Sequence, residues 1–237
     1  MSPLPSTLTG MVRTRVRAAV RRLTPEEAGA RALLLRLCSL LLQYPDGELV
    51  AARAELTASV EALPSSPAAG HLSAFTAWLA SQEPQALERH YVETFDLRRR
   101  SSLYLTYYLH GDTRRRGMAL LTLGRRYRAA GWDVGEGELP DHLPVVLEFA
   151  ALAGPRGGEA PLRQHRRGLE LIHQALGDAG SPYRHVLAAL LTLLPPPTEA
   201  DRAEVARLAA EGPPDEEVGL APYPGFDGGE RVPGERR

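Results

Sequence analysis

The sequence predicts an all-α protein, folded as a single globular bundle of about eight to ten helices. Leu and Ala dominate the 237 residues and Ile occurs once, at Ile172, a composition that favours helices over strands. Signals for helix starts and stops recur along the chain, while no apolar/polar alternation of period two runs beyond four residues. A chain of this length buries a full core without staples. Its one cysteine, Cys38, excludes a disulfide framework and any multi-cysteine metal site.

The first helices are predicted from capping and breaking residues. Residues 1–24 carry five Arg and no acid, and we expect them to form a basic, disordered extension. Thr24-Pro25-Glu26-Glu27 is a capping box with Pro at the first helical position, which predicts a helix to about Gln43. Tyr44-Pro45 ends this helix, and Asp46 then caps a second one to about Ala62.

The remaining helices are predicted from the same start and stop signals: Ser, Asp, Thr or Pro at the first residues of a helix and Gly or Pro at its end. The fourth helix carries Leu87, Tyr91 and Phe95 at four-residue spacing, the stripe of a buried helix face. The helical domain is expected over 25–211, and the acidic, Pro/Gly-rich residues 212–237 are expected to be disordered. The predicted helices are 68–81, Pro84 through Phe95, Asp112 to Gly131, Pro140 to about Gly154, Pro161 to Gly177, Ser181 to Pro195, and a short last helix from Thr198.

Composition also excludes several classes of function. The formal net charge of −1 argues against nucleic-acid binding, which usually requires a basic stripe and net positive charge. The longest near-apolar stretch is 11 residues, Ala32 to Leu42, too short to span a bilayer, so we expect no stable membrane insertion. No common catalytic motif is present, and no two of the seven His share a helix face, so no metal site and no cofactor are expected. The lone cysteine is typical of a cytoplasmic protein.

The segment from His90 to Met118 is the first that suggests a function. Two Arg triplets, 98–100 and 114–116, bracket Tyr104, Thr106, Tyr107 and Tyr108. Three Arg at the start of a helix oppose its dipole, which predicts a compensating partner such as Asp112, Glu93, Asp96 or an external anion. The alternative is structural: Asp112 caps the helix, one or two Arg pair internally, and the Tyr rings lie in the core. Both interpretations remain open.

The second such segment spans residues 136–152. Pro140 ends the preceding chain, Asp141 can cap a helix, and a neutral imidazole on His142 would orient the Asp141 carboxylate through a hydrogen bond. The acids Glu138, Asp141 and Glu148 would receive basic groups of a partner, although a capped core helix is the simpler alternative. Together the two segments suggest a groove with aromatic and aliphatic walls and charged edges, suited to an amphipathic peptide helix.

These segments resemble one known family. YVETFDLRRRSSLYLTYYLHGDTRRRGMALL (91–121), ELPDHLPVVLEF (138–149) and LCSLLLQYPD near the start are similar to the nitrate reductase assembly chaperones, the delta-subunit or NarJ family. More distantly, they resemble chaperones of other molybdoenzymes with twin-arginine leaders. The resemblance implies a cytoplasmic, all-helical protein that is not an enzyme. Such a protein holds the N-terminal segment of the nitrate reductase catalytic (alpha) subunit, supports molybdenum-cofactor insertion, and delays membrane attachment.

Residue pattern and resemblance together give an expected client-peptide site. Its members are aromatic or charged side chains from the two segments, and Gly111 and Pro140 are expected to be structural. Two other functions stay open: a molybdopterin-dinucleotide carrier or enzyme that uses Arg114 to Arg116 as a phosphate clamp, and a helical scaffold held permanently in a complex. The expected client-binding residues are Tyr104, Tyr107, Tyr108, Asp112, Arg114, Arg116, Asp141, His142 and Glu148.

Overall fold

The computed structural model describes residues 29–135 and 137–211. The predicted capping box at 24–27, the basic extension 1–24 and the tail 212–237 lie outside these residues. The first helix is therefore described from Ala30 onward.

The predicted all-α class is confirmed. The part of the chain described holds twelve α-helices, of which nine are eight residues or longer, in line with the eight to ten predicted. Its only β-type pairing is one antiparallel bridge between Tyr104 and His142. The helices are α1 Ala30–Leu41, α2 Gly47–Ala51, α3 Arg53–Glu61, α4 Pro67–Ser81, α5 Pro84–Tyr91, α6 Tyr107–His110, α7 Arg114–Ala129, α8 Leu143–Gly157, α9 Ala160–Gln164, α10 Arg166–Asp178, α11 Arg184–Thr192 and α12 Glu199–Glu211.

Two of the predicted start residues, Asp46 and Thr198, accept hydrogen bonds from backbone N–H groups at the start of their helices. The Asp46 carboxylate accepts hydrogen bonds from the backbone N–H groups of Glu48 and Leu49, both at 3.0 Å. Ser66 caps α4, with Pro at the first helical position, and Gly154 interrupts α8 with a φ of +74° that favours glycine.

Three predicted helices differ from the structure. The helix expected from Asp46 to Ala62 is divided into α2 and α3, because the Arg53 side chain donates to the Val50 carbonyl and ties α3 to the Gln82 carbonyl. The helix expected from Pro161 is divided at His165 into α9 and α10. The last helix, α12, has 13 residues and is longer than predicted, since Val205 and Leu208 are buried against the core.

The main core forms where α1 packs against α8 and α11, and α4 packs against α3 and α11. An aromatic cluster at its centre surrounds the Tyr183 ring, with centroid separations of 4.8 to 5.9 Å. The predicted stripe belongs to it, since Leu87, Tyr91 and Phe95 are all buried. After α5 the chain makes one π-helical turn, Val92–Asp96, which keeps Phe95 on that face. The cluster around Tyr183 comprises Phe75, Trp78, His90, Tyr91 and Phe95.

Helix α8 is buried on two sides. One side, with Leu143, Val146 and Leu147, faces the main core. The other carries Val145 and Phe149 into a separate group, which we call the second cluster and which also contains Leu123, Tyr127, Trp132 and Val134. Only two residues of α7, Leu123 and Tyr127, are buried, so the second cluster is the apolar contact that holds α7 to the bundle.

Truncating Phe149 to Ala is expected to lower the free energy of unfolding by about 3 kcal/mol, because it empties the middle of the second cluster. Leu152→Ala, on the same helix but 54% exposed, is the matched control and is expected to change it by about 0.5 kcal/mol or less. Urea denaturation followed by circular dichroism measures both. Equal effects of the two substitutions would contradict the role given to the second cluster.

Candidate functional site

The two segments singled out in the sequence meet at the start of α8. The Leu143 N–H donates to the Leu103 carbonyl at 2.8 Å, and the Leu105 N–H donates to the Asp141 carbonyl at 3.1 Å. These bonds form the bridge between Tyr104 and His142. The pairing places side chains that are more than 35 residues apart in sequence beside one another.

The Asp141 carboxylate lies at the centre of this junction and is 0% exposed. Its Oδ2 accepts hydrogen bonds from the Thr106 N–H, at 3.1 Å, and from the Thr106 hydroxyl. Its Oδ1 is buried and has no hydrogen-bond partner within the chain. The prediction that Asp141 caps a helix is wrong: His142 occupies the N-cap position of α8 and no side chain caps it, because Asp141 is turned toward Thr106.

Arg116 connects this carboxylate to the surface. Its Nη2 lies 3.9 Å from Asp141 Oδ2, and its Nη1 donates to Asp112 Oδ1 at 3.0 Å. Asp112 also accepts from Arg99 Nη2 at 3.2 Å. We call Arg99, Asp112, Arg116 and Asp141 the ion-pair chain. It supplies the compensating acid expected for the second Arg triplet, so Asp112 pairs with arginines and Thr113 stands at the N-cap of α7 instead.

Aromatic rings enclose the Arg116 guanidinium. Its carbon lies 5.7 Å from the Tyr104 ring centroid and 6.0 Å from that of Tyr107, within the range of cation–π attraction. The Tyr104 ring also packs on the His142 ring at 5.2 Å. The rings of Tyr104, Tyr107 and His142 are all half-buried. Each is therefore partly accessible to solvent near the Arg116 guanidinium.

Burial sets the protonation of this surface. It lowers the pKa of His142 to about 4, although the Asp141 charge opposes the shift, so the imidazole is neutral at pH 7. His142 packs on Tyr104 and makes no hydrogen bond to Asp141, contrary to the predicted orienting role. Burial also raises the pKa of Tyr104, to which the carboxylates of Asp141, Asp96 and Glu138 add while Arg116 opposes them. Three carboxylates therefore lie near enough to Tyr104 to act on its hydroxyl.

The two residues expected to be structural shape the backbone at either side. Gly111 follows α6 with φ +56° and ψ −153°, a conformation open in practice to glycine alone, and its N–H donates to the Tyr107 carbonyl at 2.7 Å. The Pro140 carbonyl accepts a hydrogen bond from the Tyr127 hydroxyl at 2.7 Å. This bond ties the second cluster to the residue preceding Asp141.

The other expected site residues have different surroundings. Tyr108 is buried, and its hydroxyl donates to the carbonyls of Arg100 and Ser102, so it holds the loop before α6. Arg114 is exposed in the first turn of α7. Glu148 is half-buried on α8, two helical turns beyond Asp141, and does not belong to the ion-pair chain.

An apolar groove begins beside this junction. It lies between α7 and residues 133–140, and Pro140 is at the end nearest Asp141. Two exposed side chains, Met118 at 62% and Leu121 at 52%, extend its apolar surface on α7, and Arg128 and Asp133 mark its charged edges. The residues that form its walls are Gly117, Leu120, Leu121, Gly124, Val134 and Pro140.

Two members of the junction, Thr106 and Arg99, are not among the site residues that the sequence predicts. Thr106 is one of several hydroxylated positions in its segment, and its bond to Asp141 joins residues 35 positions apart. Arg99 was one of three adjacent arginines, and nothing in the sequence distinguishes the one that reaches Asp112. No local sequence pattern indicates the Thr106–Asp141 or the Arg99–Asp112 pairing, because each depends on the tertiary structure.

No group of three or more His, Cys, Asp or Glu among residues 29–135 and 137–211 is arranged to hold a metal ion. No helix in the same ranges is long and apolar enough to cross a bilayer. Cys38 is fully buried, and burial raises the pKa of its thiol to about 12.

Sequence comparison relates the chain to proteins of nitrate reductase assembly. The family described as nitrate reductase delta subunit matches residues 61–189, which contain the whole junction. NarJ of Bacillus subtilis is 34% identical over 69% of this chain and 89% of its own length. The Escherichia coli protein named nitrate reductase molybdenum cofactor assembly chaperone NarJ is 31% identical over 71% of this chain and 72% of its own. It is named as a chaperone, not as an enzyme.

Two further similarities concern a longer protein and a solved structure. The nitrate reductase-like protein NarX of Mycobacterium tuberculosis is 38% identical over 70% of this chain, but the match spans only a quarter, 25%, of NarX. A crystal structure from Archaeoglobus fulgidus, described as a redox enzyme maturation protein, matches with a TM-score of 0.53 and 23% identity. It covers 68% of this chain and 92% of that one, and at this identity it supports the fold alone.

Acidification from pH 7 to pH 5 is expected to destabilise the protein partly through His142. The pKa of His142 is about 4 in the folded chain and about 6.5 when unfolded. Between these values the unfolded chain binds the proton more readily, so the stability present above pH 6.5 is lost as the pH falls toward 4. At pH 5 this costs about 2 kcal/mol. In urea denaturation His142→Gln should lose less stability than the parent between the two pH values; equal losses would contradict the assignment.

Proposed function

Because this chain belongs to the nitrate reductase delta subunit family, we propose that it is a dedicated assembly chaperone for a nitrate reductase catalytic subunit. In this proposal it binds the N-terminal segment of that subunit in the cytoplasm and supports molybdenum-cofactor insertion before membrane attachment. It acts by binding and not by catalysis.

The observation that carries the proposal is the unpartnered oxygen of Asp141. Buried polar atoms in proteins almost always have a hydrogen-bond partner, yet Asp141 Oδ1 has none within the chain. The carboxylate is held by Thr106 and Arg116, next in sequence to His142, whose half-buried ring packs on Tyr104. A donor from a bound peptide, an Arg side chain or a backbone N–H, would satisfy this oxygen.

The surface around Asp141 favours a basic, amphipathic client helix. The carboxylates near Tyr104, which include Asp96 and Glu138, complement basic residues of such a helix. The apolar groove starting at Pro140 offers a place for its apolar face, as in other helix-in-groove complexes. A micromolar dissociation constant corresponds to about −8 kcal/mol, which a few buried leucine and tyrosine contacts support.

The expected site residues divide into three roles in this proposal. Tyr104, Tyr107 and His142 contact the client through their exposed edges, while Arg116 positions Asp112 and Asp141. Tyr108, Gly111 and Pro140 fix the backbone that carries them. Arg114 and Glu148 meet the client at the two ends of the surface.

The phosphate clamp is the weaker alternative. A clamp requires guanidinium groups available to an anion, but the Arg116 charge already faces the carboxylates of Asp112 and Asp141. An incoming phosphate would have to displace both carboxylates. The permanent-scaffold alternative predicts co-purification with the finished reductase, whereas a transient chaperone dissociates from it.

Replacing Asp141 by Asn should weaken binding of a synthetic peptide that matches the N-terminal segment of the catalytic subunit by about tenfold, since a hydrogen bond to a charged group is lost. Isothermal titration calorimetry at about 50 and 500 mM salt measures it. Binding to the parent should weaken at high salt, and binding to the variant should depend less on salt. Glu61→Gln, an exposed acid on α3, is the control and should bind like the parent.

Two controls keep the Asp141 experiment decisive. Circular dichroism and thermal denaturation must show that Asp141→Asn is folded; if it is not, Glu138→Gln, a half-buried acid of the same surface, replaces it and should weaken binding at least twofold. Unchanged affinity in a folded Asp141→Asn at low salt would refute the electrostatic role of this carboxylate.

Replacing Leu121 by Asn should weaken the same peptide about fivefold or more, because Leu121 lines the apolar groove and would lose its buried contact with the client. The side chain is 52% exposed, so the free protein should keep its stability. Leu152→Asn, an equally exposed leucine on α8, serves as the matched control. Equal affinities of the two variants would exclude the groove as the client site.

A further inference from the structure

A second cleft, which we call the α12 cleft, is lined in part by Tyr107 and shares no lining residue with the apolar groove. It is bounded by the 3₁₀ turn Arg99–Ser101, α6, α10 and α12, and its volume is about 260 Å³. Its walls include the rings of Tyr107 and Tyr108 and the side chains of Leu171, Ala175 and Leu208. The cleft therefore has a mainly apolar interior.

The mouth of the α12 cleft is basic. Arg99 and Arg100 line it, and Asp178 is the acid among its lining residues. Both arginines are exposed. A ligand that fits must therefore present carboxylates to the mouth and apolar groups to the walls.

The chain itself continues into a segment with this composition. Helix α12 ends at Glu211, and Leu208 and Ala209, within three residues of that end, line the cleft. Residues 212–230 contain five acids and no basic residue. Three of the acids are consecutive, Asp215 to Glu217, and Val218 and Leu220 follow them.

We propose that residues 215–220 of this chain occupy the α12 cleft. Their three acids pair with Arg99 and Arg100, and Val218 and Leu220 contact the apolar walls. Four residues, which span up to about 14 Å when extended, separate Asp215 from Glu211 at the end of α12. A tether this short gives an effective concentration in the millimolar range, which favours the chain's own segment over a second copy or a separate acidic peptide.

Two residues that line the α12 cleft also belong to the Asp141 site: Arg99 is a member of the ion-pair chain, and the Tyr107 ring lies beside Arg116. Arg99 bonds to Asp112, and Tyr107 faces Arg116 while lining the cleft. Carboxylates of the segment would compete with Asp112 for Arg99. The inference rests on the cleft and on the composition of the segment, and it holds whatever binds at Asp141.

Disulfide trapping in the full-length chain tests the proposal. Gln174→Cys lies on the cleft wall, and Gly219→Cys lies between the two apolar anchors. Mild oxidation of this pair at low protein concentration should give an intramolecular disulfide about tenfold faster than the control pair Ser59→Cys and Gly219→Cys. Ser59 lies on α3, which contributes no lining residue to the cleft. The native Cys38 is buried and protonated, so it does not compete.

Charge reversal supplies the second arm of the test. Changing Asp215, Glu216 and Glu217 together to Lys should slow trapping to the control rate, and adding Arg99→Glu with Arg100→Glu should restore it. Equal rates for the cleft pair and the control pair would overturn the proposal. It would also be overturned if only disulfide-linked dimers formed, since the cleft would then receive a second copy.

Discussion

The buried carboxylate of Asp141 is the constraint around which the rest of the site is arranged. Removing a charge from water costs several kcal/mol unless hydrogen bonds and an opposite charge compensate it. Here the Thr106 backbone and hydroxyl bind one oxygen, and Arg116 lies within 3.9 Å. The Thr106 bonds require residues 103–106 to run beside 141–143. The buried charge therefore fixes the register of the only β-type bridge in the part of the chain described.

Helix α8 converts this local constraint into a rigid support. Because its two sides are buried in two different clusters, neither Asp141 nor His142 at its start can move without disturbing both. Tyr127 adds a direct link, since its ring packs on Phe149 at 4.5 Å and its hydroxyl binds the Pro140 carbonyl. The exposed helix α7 is held by the same contacts, so the apolar groove and the Asp141 junction keep a fixed relation.

Local chemistry explains which parts of this fold were predictable. Asp46 caps its helix as expected, because a cap bonds to N–H groups two or three residues away. Asp112 and Asp141 look like caps by the same rule, yet both carboxylates turn to partners that only tertiary structure supplies. The Thr106–Asp141 bond spans 35 positions, and Arg99 was one of three equivalent arginines. The site region was thus identifiable from residue types and family resemblance, while its internal pairing was not.

The ion-pair chain also connects the α12 cleft to the buried carboxylate of Asp141 through shared side chains. Arg99 and Arg116 share one carboxylate, Asp112, which is more than half exposed, whereas Asp141 is fully buried. An anion that binds to Arg99, at the exposed end of the chain, competes with Asp112 for that guanidinium. Asp112 can then pair more closely with Arg116, which weakens the attraction between Arg116 and Asp141. Tyr107 adds a second route, because its ring contacts Arg116 and lines the α12 cleft. Ligands at the two surfaces therefore act on the same guanidinium, and each would change the electrostatic field that the other meets.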